Sequence, residues 1–354
     1  MRKILVASIL ILLIFILQRT SLRAQSWEEP QKYGWLVPVR FAKPFVAEIE
    51  SPLTKVEEGF GRAREEYTPM NTGRKYNPYL NVDLGVFIPI WSRRLSDNWM
   101  IGIDIPISFH LWLDLKTISA PVLNTDYRFA FGEIKALYLF EGKRWLRNIS
   151  FRLAPYNHES THIGDELTVR REEEGFPLKR VNVSYEYAEL AVCVNDPNGT
   201  RKDNHAFKAG LMMRIPNGSS WFKIYPNEGD TIYNSDMKNV MEYYVQYEYQ
   251  RSKGFLTGKH VTNVLSAEIR NRARYQYPVV YWDEKLNYWY ALNAKHSRAW
   301  CYNLYFGWRF YPKHNWYPNS LGFYAHAYYG VVPYGQFRNT PGYGYLGFSI
   351  VVEQ

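Results

Sequence analysis

Cysteine is nearly absent from this chain: Cys193 and Cys301 are the only two in 354 residues. A disulfide framework and a cysteine-based metal site are therefore excluded, and at most one bridge can form. Beyond residue 17 no apolar run approaches helix-spanning length, so any residence in a membrane has to come from strands. No run of Lys and Arg with interleaved aromatics occurs, which argues against a nucleic-acid partner. Internal repeats, low-complexity tracts and linkers are also missing. One domain is the reading.

What is present begins with "MRKILVASILILLIFILQRTSLRAQS". Arg2 and Lys3 precede the apolar run Ile4–Leu17, and small residues follow, ending at Ala24. That order is a secretory signal peptide, residues 1–24, cut before Gln25. The segment holds four basic residues and no acid, so its removal takes the net charge from +9 to +5. The mature domain is residues 25–354.

Aromatic residues are abundant: 30 Tyr, 12 Trp and 19 Phe. Tyr and Trp favour membrane–water interfaces, where the ring lies in the apolar zone and its polar edge meets water. Period-2 alternation dominates the chain. In "NWMIGIDIPISFHLWLDL" the residues Ile101, Ile103, Ile105, Ile107, Phe109, Leu111 and Leu113 share one face, with Gly102, Asp104, Ser108 and His110 on the other. "VMEYYVQYEYQ" and "CYNLYFGWRF" repeat the pattern. Such long half-apolar strands suit an all-β transmembrane antiparallel β-barrel with lipid outside and a polar lumen. The pattern predicts twelve strands: 33–49, 78–91, 98–113, 124–140, 146–158, 180–194, 204–216, 239–251, 258–271, 299–311, 320–331 and 342–353. Long and short connections alternate, and residues 276–291 are left in a loop, although "VVYWDEKLNYWYAL" has the composition to pair.

The chemistry-bearing stretch is "YNHESTHIGDEL", residues 156–167. His158-Glu-Ser-Thr-His162 spells the H-E-x-x-H of zinc hydrolases, which needs a helix to converge both imidazoles on one metal. Here the letters continue a strand, where positions i and i+4 lie about 13 Å apart. No metal and no cofactor is expected. His158 and Ser160, two apart on a strand, lie on one side about 6–7 Å apart. An imidazole there can serve as base for a nucleophilic hydroxyl, with Asp165 or Glu166 to orient it. Their parity, however, is that of Ser150 and Arg152, opposite Ile149, Phe151 and Leu153, which places them in the lumen unless a bulge near Pro155 flips the register. The alternative is therefore a hydrogen-bonded network of His158, Ser160, His162, Asp165 and Glu166, joined by Glu186, Glu268, Arg270, Arg272 and Arg274. Gly335, Gln336 and Phe337 read as a loop clamp.

On "TDYRFAFG" (125–132), "YNHESTHIGDEL", "VSYEYAEL" (183–190) and "YYGVVPYGQFRN" (328–339), the chain resembles an uncharacterised bacterial family known as domain of unknown function 1207. That resemblance implies an outer-membrane protein and brings no established activity. The His-x-Ser pair is also similar to that of two outer-membrane lipid hydrolases, phospholipase A and lipid A deacylase. The terminal "YGYLGFSIVVEQ" resembles the assembly signal of outer-membrane barrels, through Tyr345, Gly347, Ile350 and Val352, though it ends in Gln354 rather than an aromatic residue. This implies the barrel assembly machinery and outer-membrane lipid as partners; a small-molecule ligand stays unidentified. The sequence reading is a structural or ligand-binding barrel with a polar lumen network. Its alternative is an outer-leaflet lipid esterase.

Overall fold

The computed structural model describes residues 33–353 except 40, 50, 64–74, 117–119, 141–144, 174–182, 198–202, 216–222, 225–232, 235–240, 258–259, 274–277, 284–287, 294–297, 312–319 and 338–341. Alternating apolar and polar residues put the described strands into one closed antiparallel barrel of twelve. They are β1 (Thr54–Arg62), β2 (Tyr76–Arg94), β3 (Trp99–Asp114), β4 (Val122–Ala130, resuming as Glu133–Leu139), β5 (Asn148–Ile163) and β6 (Val183–Val194). The circuit continues with β7 (Asn204–Ile215), β8 (Met241–Arg251), β9 (Val261–Ala273), β10 (Arg298–Phe310), β11 (Ser320–Gly330) and β12 (Tyr343–Glu353). Each strand pairs with its neighbours in the chain, and β12 closes on β1 from Tyr345↔Gly61 to Val352↔Thr54. Closure leaves no open edge in the described wall, which is what a sheet needs in lipid. A helix, α1 (Asp165–Glu173), follows β5.

The outer face is apolar, with Phe207, Leu211, Val245, Ile269, Leu304, Phe306, Leu346 and Phe348 all exposed. Trp35, Trp99 and Trp145 cluster toward the short connections, and Trp300, Tyr302 and Tyr329 toward the long ones, as two aromatic girdles. The lumen face is polar and buried, including the predicted members Glu268, Arg270 and Arg272. Arg274 lies outside the described residues. Cys193 and Cys301 are both buried and unbridged.

Two elements depart from the sequence reading. The first predicted strand, 33–49, is not part of the wall. Among its described residues only Gly34–Trp35 forms a strand, against Ser92 and Trp91 of β2. The chain then enters the lumen as an irregular strap, described over residues 36–39, 41–49 and 51–53, and the twelfth wall strand is supplied instead by β1. Val39, Phe41, Phe45 and Val46 are buried inside the barrel, which is why this stretch has the apolar content of a strand. Wall side chains satisfy its backbone: Ala42 N–H donates to Asp196 Oδ2 at 2.7 Å, Ala47 N–H to Ser266 Oγ at 3.1 Å, and Asn303 Nδ2 donates to the Ala47 carbonyl at 2.7 Å. A Cβ on Gly85 would stand 2.1 Å from the Pro52 carbonyl oxygen, so glycine is required where the strap presses on the wall. The second departure is in 276–291, where Pro278–Asp283 and Tyr288–Asn293 pair as a hairpin.

The interior holds full ion pairs. Arg214 donates to Glu242 Oε1 at 2.8 Å, both side chains being completely buried, and the Arg214 guanidinium lies 4.4 Å from the Tyr185 ring centre. Arg214→Ala is expected to cost about 3–5 kcal/mol, because it strands a buried carboxylate. Arg214→Met with Glu242→Gln should recover most of that loss, since Gln still accepts from Ala273 N–H, which now donates to Glu242 Oε1 at 3.1 Å. Denaturant titration of both variants in detergent micelles checks this, and a double variant as unstable as the single one would refute it.

Candidate functional site

The wall changes phase where β4 meets β5. In β4 the outward residues are Tyr127, Phe129 and Phe131, but after Gly132 they become Ile134 and Ala136. Gly132 takes φ +90°, a conformation that side-chain-bearing residues rarely adopt. In β5 the outward residues are Ile149, Phe151 and Leu153, and after Pro155-Tyr156 they become His158, Ser160 and His162. Pro155 has no N–H for the ladder. Four residues of β5, Ala154 to Asn157, stand against only three of β6, Glu189 to Tyr187, so one extra residue is absorbed as a bulge. The two interruptions are adjacent, with Phe131 N–H donating to the Tyr156 carbonyl at 3.0 Å.

The bulge corrects the expectation that His158, Ser160, His162 and Glu186 belong to the lumen. All four are on the outer wall. Strand alternation splits the H-E-x-x-H letters: Glu159 points inward, where it receives hydrogen bonds from Arg128 Nε at 2.9 Å and from the Tyr185 hydroxyl. The glutamate and the two histidines are on opposite faces of one extended strand.

On the outside, His158 lies across from Glu186 of β6, and Ser160 across from Ser184. His158 Nδ1 is 3.3 Å from Glu186 Oε1, and His158 Nε2 is 3.4 Å from Ser184 Oγ. The His158 and Glu186 side chains are 24% and 11% exposed, enough for a ligand to reach the ring. The Tyr156 hydroxyl also stands near Glu186. The order is carboxylate, imidazole, hydroxyl. With Nδ1–H donating to the carboxylate, Nε2 is free to accept the serine proton, which is the state a general base requires.

Around this array stand exposed rings. Phe129 lies 5.2 Å from the His158 ring, Phe131 5.1 Å from Phe129, and Tyr156 5.5 Å from Phe131. Tyr127 meets His162 edge-on at 5.7 Å. Asp165 and Glu166, the orienting candidates from sequence, open the first turn of α1, and the carboxylate at His158 is Glu186 instead. Ser184 was not a sequence candidate. Its signal was its place two residues before Glu186 on an alternating strand.

A second carboxylate–imidazole–hydroxyl string lies inside the barrel. Asp83 Oδ1 is 3.0 Å from His110 Nδ1, and His110 Nε2 is 3.1 Å from Ser108 Oγ. Lys55 shares Asp83 at 3.0 Å. These groups are buried in the lumen, which the strap enters from the short-connection side. On the other side residues 331–337 fold over it. There Gly335 N–H donates to Asp126 Oδ2 at 3.2 Å, Tyr334 stacks on Trp112 at 4.7 Å, and Phe337 meets Trp112 edge-on at 5.8 Å. Gln336 lies between the last two anchors, in a short 3-10 turn. A lipid in the surrounding bilayer reaches the outer array and not this one.

No protein-family model matches the chain, and no curated protein matches it. Its fold is similar to that of solved bacterial outer-membrane barrels. Outer membrane phospholipase A from Escherichia coli is 12% identical, with a TM-score of 0.44 over 86% of this chain and 93% of that one. LpxR from Salmonella typhimurium is 10% identical, with a TM-score of 0.32 over 85% and 100%. The transport unit of the autotransporter AIDA-I from Escherichia coli is 9% identical, with a TM-score of 0.43 over 96% and 95%. At such identities the likeness is one of fold.

Proposed function

We propose that this chain is a bacterial outer-membrane hydrolase that cleaves ester bonds of outer-leaflet lipids on the outside of its own wall. The observation that carries the reading is the outward Glu186–His158 pair with a serine hydroxyl at its free nitrogen, set among exposed aromatic rings. Charged and hydrogen-bonding groups on a lipid-facing wall are costly, so they are placed there for function more readily than for stability. A serine oxygen adds to the ester carbonyl as its proton passes to His158 Nε2. The C–O bond to the alcohol then breaks, and the alcohol leaves with that proton. Water repeats the sequence on the acyl-enzyme and releases the fatty acid. Glu186 steadies the imidazolium formed in each half, the role the sequence alone gave to Asp165 or Glu166. Phe129, Phe131 and Tyr156 supply an apolar bed for the acyl chain.

The signal peptide of residues 1–24, the assembly machinery and the kinship with domain of unknown function 1207 belong to the same proposal. The test is release of fatty acid by the purified, folded barrel. Long-chain phospholipid or lipid A in mixed micelles should be hydrolysed, and faster than a water-soluble short-chain ester. Absence of release from every long-chain lipid ester, by protein that still shifts its gel mobility on boiling, would sink the reading.

A further inference from the structure

We infer that Ser184, rather than Ser160 of the His-x-Ser pair, is the nucleophile; this inference rests on the hydrolase reading above. Four outward residues form a two-by-two block on β5 and β6. His158 faces Glu186, and Ser160 faces Ser184. Directly opposed residues on antiparallel strands bring their Cβ atoms within about 4.5–5.5 Å, closer than the roughly 6–7 Å between alternate residues of one strand. Spacing therefore makes Glu186 the cross-strand partner of His158. Ser184, diagonal to His158 at about 7–8 Å, is no nearer by spacing than Ser160, and the contacts of the ring itself decide between the two serines.

The imidazole engages β6 with both nitrogens. Nδ1 meets Glu186 Oε1 at 3.3 Å and Nε2 meets Ser184 Oγ at 3.4 Å. Two residues of one strand, two positions apart and on the same face, thus fix the ring at both ends. Phe129 packs on it from β4, tilted by 37°. To reach Ser160 the ring has to leave Ser184. Both contacts have the slightly long geometry common in sites without substrate, and they shorten as the proton moves.

In the reaction the Ser184 Oγ–C bond forms as the Ser184 proton moves to His158 Nε2, and the ester C–O bond breaks as that proton moves on to the leaving alcohol. Water then cleaves the Ser184 ester and restores the hydroxyl. Ser160, opposite Ser184, borders the site without taking the proton path.

A long-chain alkyl fluorophosphonate tests the assignment. It bonds phosphorus to an activated serine oxygen, expels fluoride, and leaves an adduct that peptide mass mapping can place. In the full mature barrel, the adduct is expected on Ser184. Ser184→Ala should lose the adduct and more than about 10²-fold of fatty-acid release. Ser160→Ala should keep the adduct and stay within about tenfold of the parent rate. His158→Ala should lose the adduct although Ser184 is still present. An adduct on Ser160 or any other serine, or a Ser184→Ala protein as active as the parent, overturns the assignment while the hydrolase reading stands. A folded parent with neither adduct nor lipid release overturns both.

Discussion

His158→Ala is expected to lower lipid-ester hydrolysis by about 10²–10⁴-fold and to leave the barrel folded. The ring contacts both Glu186 and Ser184, so its removal takes away both the proton acceptor and the route by which the carboxylate acts. Stability should change little. The ring lies on the outer wall, and the β5–β6 ladder does not depend on the side chain. Glu186→Gln should fall between parent and His158→Ala, because the amide still orients Nδ1–H but no longer offsets the imidazolium charge. Initial rates on phospholipid micelles measure the loss, and heat-modifiability on gels confirms folding. An unchanged rate in His158→Ala would remove the imidazole from the mechanism.

Glu48→Ala is expected to destabilise the barrel by about 3–5 kcal/mol and to loosen the strap. Glu48 accepts from Arg152 at 2.7 Å through Oε1 and from Lys208 at 3.0 Å through Oε2, with all three side chains buried. Arg152 also pairs with Glu133 at 3.2 Å and Glu189 at 2.8 Å, so it survives the change. Lys208 fares worse. It keeps the Lys43 carbonyl at 2.9 Å and the Phe45 ring at 4.1 Å, both on the strap itself, but loses its paired carboxylate. Loosening should be visible as protease cleavage within residues 36–53 and as larger ion conductance in planar bilayers. Removal of residues 33–53 should raise conductance further, because β1 begins only at Thr54. Conductance identical to that of the parent in both proteins would mean that the strap does not obstruct the lumen.

Much of the wall was legible because each strand separates two media. Met241, Tyr243 and Val245 against Glu242 and Gln246, or Leu304 and Phe306 against Asn303, state in sequence which side meets lipid. The strap was misread for the same reason. A segment packed inside the lumen buries Val39, Phe41 and Phe45 much as a wall strand would. Meanwhile β1, "TKVEEGFGR", turns Glu58 outward between Val56 and Phe60 and so has a weak apolar stripe.

At the site, the sequence by itself determined that the chain is a β-barrel and that His158, Ser160 and Glu186 lie on alternating strands, while it offered Asp165 or Glu166, not Glu186, as the carboxylate for the imidazole. Only the tertiary structure decided which side of the wall they face and which hydroxyl meets the imidazole. Alternation is a local property, carried residue by residue along one strand, whereas register belongs to pairs of strands. The extra residue at Pro155-Tyr156, beside Phe131-Gly132 in β4, reverses the parity of everything beyond it. The cross-strand pairing of β5 with β6 then delivers Glu186 and Ser184 to a ring that sequence spacing had assigned to Ser160.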